Sequence, residues 1–245
     1  MTTRSRRDPW PRISGALLVA GAMIGMVGNA LHPHTVDAGG VVSAIATNGA
    51  WVGIHLAIMV AILLIIGGLV GLTDQLGDTS GGPLARLGLA AALLGGTTVV
   101  VSTSIDGFVM KALSVAWAGT PAPEAAAGLR LAIAVKEVDF GIWSMGMLVF
   151  FGAAFACFGF AIATSRRYPA WFGWIAVLGA SGAALAALMQ IAASGEVQAA
   201  ETLFLASSVV LTLWVFGLGV AMWRAPEVGS KRALSIDAVV APVGP

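Results

Sequence analysis

Three histidines and a few carboxylates are the residues of this chain that could do chemistry, and all three histidines fall in its first quarter. His32-Pro33-His34 follows one apolar run and His55 stands near the start of the next. Asp106 lies inside a third, and Lys136, Glu137 and Asp139 open a fourth. A histidine beside a carboxylate can relay a proton or ligate a metal. Asp106 stands out, because a carboxylate within a membrane span costs about 2.5–3.5 kcal/mol at mid-bilayer on insertion scales and so turns toward protein or water. Thr97, Thr98, Ser102, Thr103 and Ser104 precede it. At a spacing of four, Ser102 and Asp106 share a helical face that could line a polar cavity. The bland alternative is hydroxyls bonded to their own helix and an interfacial Asp106 paired with Lys111 or Lys136.

The expected ligand or proton site is therefore His55, Asp106 and Ser102, with Glu137 and Asp139 tuning it. A metal site would draw on His32, His34 and His55. Three histidines with Asp106 or Glu137 suffice chemically for zinc or copper, but histidines two apart across a proline are not a recognised ligand spacing. The sequence requires no cofactor; zinc, copper and haem stay open. Cys157 is the single cysteine, so an internal disulfide and a multi-thiolate zinc site are excluded. No phosphate loop, HExxH pair or GxSxG elbow occurs.

These residues must be positioned by membrane helices. The chain of 245 residues is 58% hydrophobic and only 10% charged, with mean hydropathy +0.91, whereas soluble domains carry roughly 25% charged residues. Six apolar runs appear: Ile13 to Leu31, Trp51 to Leu72, Leu84 to about Leu113, Phe140 to Thr164, Ala170 to Ala193 and Leu203 to Trp223. Each is about the 20 residues that cross a ~30 Å hydrocarbon core. No run alternates as a barrel strand would. The fold expected is all-α, a six-helix transmembrane bundle over 13–224, with a basic tail (1–12) and a polar tail (225–245).

Arg4, Arg6, Arg7, Arg12, Arg86, Arg166, Arg167, Arg224, Lys231 and Arg232 fall on one side of the spans, and Lys111, Arg130 and Lys136 on the other. The positive-inside rule makes both termini cytoplasmic, in the cell membrane, and the histidine end external. Trp10, Trp171, Trp174 and Trp223 at one interface and Trp51, Trp117 and Trp143 at the other agree with that map. A cleaved leader, ending in the small residues near Gly28, is the rival that would leave five spans. Proline-led starts at Pro11, Pro83 and Pro169 suggest three repeated helical hairpins, although proline suits any first helical turn. Gly21/Gly25 and Gly67/Gly71 are small-residue pairs for helix contact, inside the bundle or in a homo-oligomer.

Gly28-Asn29-Ala30-Leu31-His32-Pro33, Trp51-Val52-Gly53-Ile54-His55-Leu56 and Asp106-Gly107-Phe108-Val109-Met110-Lys111-Ala112-Leu113 resemble segments of actinobacterial multi-pass membrane proteins of the DUF4386 type. The resemblance implies a six-helix membrane protein and carries over no catalytic role. The functions left are binding of a small or lipid-like ligand or protons at the outer end, a membrane enzyme with an outer acid/base or metal site, or an accessory subunit. No reaction motif favours the enzyme. The lipid bilayer is the expected partner, beside a second copy or another membrane protein, and nucleic acid is not expected, since the basic residues form no groove-sized patch.

Overall fold

The computed structural model describes residues 9–32, 38–121, 124–195 and 197–224. Six helices are long and apolar enough to cross a membrane: α1 (Trp10–Leu31), α3 (Trp51–Leu76), α4 (Gly82–Ala118), α5 (Ala125–Ser165), α6 (Ala170–Ala193) and α7 (Gln198–Arg224). A seventh, α2 (Ala38–Thr47), lies in the connection between α1 and α3. Large apolar side chains such as Leu94 and Leu178 stay exposed, at 68% and 73%. Lipid is the solvent that accommodates such a surface. The chain is a multi-pass membrane protein.

Consecutive helices run antiparallel, and the register can be read from glycines. On α1, Gly21 lies against Ala61 and Ile65 of α3, and Gly28 against Ile54 and Ile58. On α4, Gly88 meets Phe158 of α5 and Gly96 meets Ile66 of α3. Gly159 of α5 meets Gly173 of α6, and Gly179 of α6 meets Leu211 of α7. Gly219 of α7 returns to Gly15 of α1 and closes a ring in chain order. In lipid the hydrophobic effect does not draw helices together, so close backbone approach at small residues supplies the packing. Both sequence-read pairs are spent on this contact: Gly25 faces Ala61, Gly67 faces Leu17 and Gly71 faces Ser14, all between α1 and α3.

At the end that carries Arg166 and Arg167, hereafter the basic end, large apolar side chains pack together. Leu18, Leu69, Leu72, Leu76, Phe158, Ile162, Leu218 and Met222 form one buried cluster there. Polar ties close it. Trp10 Nε1 donates to Asp74 Oδ2 (2.8 Å) and the Tyr168 hydroxyl to Gln75 Oε1 (2.8 Å). Burial pushes the Tyr168 phenol above its usual range.

The opposite, histidine end differs from sequence expectation. The third span runs on to Ala118, past Leu113, and the fourth begins at Ala125, so most of the 117–137 connection is helical. Lys111 does not pair with Asp106. Its ammonium donates to the carbonyls of Ile45 (2.7 Å), Ala46 (3.0 Å) and Asn48 (2.9 Å), capping the negative end of α2. The tryptophans here form no lipid belt: Trp51 is buried and Trp117 and Trp143 are packed against core clusters. Trp171, Trp174 and Trp223 at the basic end are exposed.

Two expected outcomes follow from this packing. A Cβ on Gly15 would stand 2.6 Å from the Gly219 carbonyl oxygen and 2.8 Å from the Trp223 nitrogen, both backbone, whereas one on Gly53 meets nothing within 4 Å. Gly15→Ala should lower the melting temperature of the detergent-solubilised protein, and Gly53→Ala should leave it unchanged or raise it. Lys111→Met removes three charge-assisted hydrogen bonds, so hydrogen exchange across Ala38–Thr47 should accelerate roughly 10–100-fold with the spans unaffected.

Candidate functional site

Asp106 sits where α4 departs from α-helical geometry. Residues Ile105–Met110 form a π-helical turn, a local widening that costs regular hydrogen bonding and recurs at functional sites. Gly107, next in the chain, allows α3 to come close: a Cβ there would lie 2.6 Å from His55 Cβ and 2.9 Å from its Cγ. His55 is thereby held against the π turn, 2% exposed.

Its imidazole is fixed at both nitrogens. Nδ1 lies 2.8 Å from the Trp51 carbonyl oxygen and Nε2 lies 3.0 Å from Asp106 Oδ2. A carbonyl only accepts, so Nδ1 carries a hydrogen. Nε2 of the neutral ring is then a lone pair facing a carboxylate oxygen, an arrangement that requires a proton or a cation between them. His32, the residue that ends α1, approaches the same oxygen, with Nε2 3.5 Å from Asp106 Oδ2. The side chains of His32 and Asp106 are 27% and 14% exposed.

Trp51 frames the group. Its indole donates to the Asp106 carbonyl (2.8 Å), and its ring lies 4.6 Å from the His55 ring and 5.1 Å from that of His32. One residue thus orients His55 through its carbonyl, ties α3 to α4 through its indole and packs on both imidazoles. Among the described residues, Asp106 Oδ1 is buried with no hydrogen-bond partner. An unpaired buried carboxylate oxygen is costly and points to a missing partner.

The other expected residues divide. Ser102 does not join Asp106: its hydroxyl donates to Asp139 Oδ1 (2.6 Å), both side chains buried between α4 and α5. Thr97, Thr98 and Thr103 bond carbonyls of their own helix. Glu137 is exposed and lies outside the cluster. His34 falls outside the described residues. Reading the sequence placed His55 with Asp106 and offered His32 as a metal ligand with His34 and His55, without setting it beside His55 and Asp106. The small-residue register was the signal that could have found it, since Gly28 opposite Ile54 and Ile58 sets the end of α1 beside His55. A second buried polar contact, not read from the sequence, sets Ser144 Oγ 3.3 Å from Gln190 Oε1 while the Ser144 hydroxyl donates to the Phe140 carbonyl (2.9 Å).

Below these polar groups lies an open-sided cavity of about 60 Å³ between α1 and α7. Its lining climbs α1 through Gly21, Gly25 and Asn29, and α3 through Ile65, Ile62 and Ile58. Asn29 is one helical turn below His32, and Ile58 is one turn below His55. Val99 and Trp143 line the far wall, each within a turn of the Ser102–Asp139 pair. Ser208 and Thr212 of α7 border it on the other side. The space suits a short run of methylene groups better than a single water, which needs about 10–15 Å³ by this measure.

No curated protein and no solved structure matches the chain. One family does: residues 13–220 match the domain of unknown function DUF4386. That match spans the whole bundle, site included, and the chain belongs to the DUF4386 family.

Proposed function

We propose that this membrane protein binds a lipid-like amphiphile, drawn from the leaflet at its histidine end. The ligand's polar group would meet His32, His55 and Asp106, with Ser102 and Asp139 behind them. Its chain would occupy the cavity between α1 and α7. The observation that carries this reading is the continuity of the two: the apolar lining reaches the polar cluster within one helical turn on both α1 and α3. The cavity is not fully enclosed, and an opening toward the bilayer would give an acyl chain entry without a crossing of water.

The ten-to-three asymmetry of basic residues supports a cytoplasmic basic end with both termini inside, so the amphiphile would come from the outer leaflet of the cell membrane. The prolines that start α1, α4 and α6 fit three hairpins of one design. Transport through the bundle is disfavoured, because large apolar side chains dominate the core at the basic end, with Ser14, Thr73 and Ser165 the buried polar residues beside them. An enzyme acting on the bound amphiphile's polar group is the second reading, favoured by the unpartnered Asp106 oxygen.

A phosphatidylcholine carrying a diazirine in its acyl chain, incorporated in vesicles with the full chain, tests the proposal. Crosslinks should concentrate on Asn29, Ser208 and Thr212 and fall at least several-fold in Ser208→Phe, which fills the cavity from α7. Label spread evenly over lipid-facing residues such as Leu94 and Leu178, and indifferent to Ser208→Phe, would sink it.

A further inference from the structure

We infer that His32, His55 and Asp106 form a binding site for a divalent first-row transition metal of the zinc class. This goes beyond amphiphile binding and stands without it. The ligating atoms of the three residues all lie within 4.8 Å of one another. Two of the separations are 3.5 Å, from His32 Nε2 to Asp106 Oδ2, and 3.0 Å, from His55 Nε2 to the same oxygen. Tetrahedral zinc with metal–ligand distances near 2.05 Å sets neighbouring donors about 3.3 Å apart. These two separations bracket that value, and the third, between the two imidazole nitrogens, lies within 4.8 Å, so a metal can enter once the part-exposed His32 ring closes toward His55.

The protonation pattern supports it. Nδ1 of His55 donates to the Trp51 carbonyl, so in the neutral ring the Nε2 lone pair is aimed at the carboxylate. A ring nitrogen hydrogen-bonded to a backbone carbonyl while the other turns to a cation is how ligating histidines are usually oriented. Two imidazoles and one carboxylate suit zinc and its borderline neighbours, whereas calcium and magnesium prefer oxygen donors. Net charge also fits: two neutral imidazoles and one carboxylate leave a bound divalent ion with one positive charge. The unpartnered Asp106 Oδ1 can accept a hydrogen bond from a metal-bound water. Three protein ligands would leave at least one position open, which a water or the polar group of an amphiphile could take.

The site unites residues from three helices. α1 contributes the residue at its end, α3 a residue one turn from its start, and α4 its π turn. Binding would lock the outer ends of all three.

The test uses the full chain in detergent, purified without a histidine tag, stripped with chelator and titrated with zinc alone, then with cobalt as a spectroscopic substitute. One equivalent should bind. Cobalt should give the intense visible bands of four- or five-coordinate geometry. His32→Ala and Asp106→Asn should each weaken binding by at least about 100-fold, since loss even of a group that merely orients a ligand costs roughly 10–100-fold. His32→Ala alters a part-exposed helix end, so it keeps the test open if the buried variants fail to fold. Asp106→Glu should recover part of the affinity, which a purely structural role would not predict. Less than a tenth of an equivalent bound by the wild type would overturn the inference. So would zinc affinity that survives His32→Ala in a protein with wild-type elution and helicity.

Discussion

The hydrogen bond from His55 Nδ1 to the Trp51 carbonyl decides the chemistry of the histidine end. It assigns the ring's hydrogen, and so makes Nε2 the face that meets Asp106. Without it the imidazole could donate from Nε2 to the carboxylate, and the pair would be an ordinary satisfied contact. With it, Nε2 meets the carboxylate at 3.0 Å either as a bare lone pair or as the second N–H of an imidazolium, and in both cases the structure has a place for a positive charge. Trp51 can impose this because it is fixed itself: its ring is buried, and its indole is bonded to the Asp106 carbonyl.

That local arrangement depends on close helix approach. α3 reaches the π turn of α4 only because Gly107 has no side chain, and α1 brings His32 alongside because Gly21 and Gly28 let it lie against α3. The two ends of the bundle then differ in kind. At the basic end α1 and α7 meet backbone to backbone at Gly15 and Gly219. Toward the histidine end a cavity opens between the same two helices. Close helix contact at one end and a cavity beneath polar groups at the other are what the proposed binding of an amphiphile draws on.

Much of this was legible in the sequence. Six apolar runs and scattered glycines specify an antiparallel helical bundle almost directly, because lipid leaves few alternatives. Asp106 and His55 could be singled out since a carboxylate or imidazole within an apolar run needs a partner. The partner's identity was harder to read. Ser102 and Asp106 share a face on an ideal helix, but a π turn begins at Ile105, and such a turn leaves no clear signature in residue type. The two diverge, Ser102 toward Asp139 and Asp106 toward the histidines. Lys111 beside Asp106 in sequence looked like its counter-ion. It serves α2, a ten-residue helix too short and too glycine-rich to be foreseen in a loop. Glu137 stands out in the sequence by charge alone, and its position on α5 turns it outward.

The central claim is the protonation of one nitrogen. Nitrogen-15 NMR of the metal-free protein, with histidines labelled and His55 assigned by comparison with His55→Gln, reads it directly. The account predicts a hydrogen on Nδ1 of His55 whether or not Nε2 also holds one, and a shift of the Nε2 resonance when zinc is added. A bare Nδ1 with the hydrogen on Nε2 would contradict it, because His55 would then satisfy Asp106 unaided and leave no place for a cation.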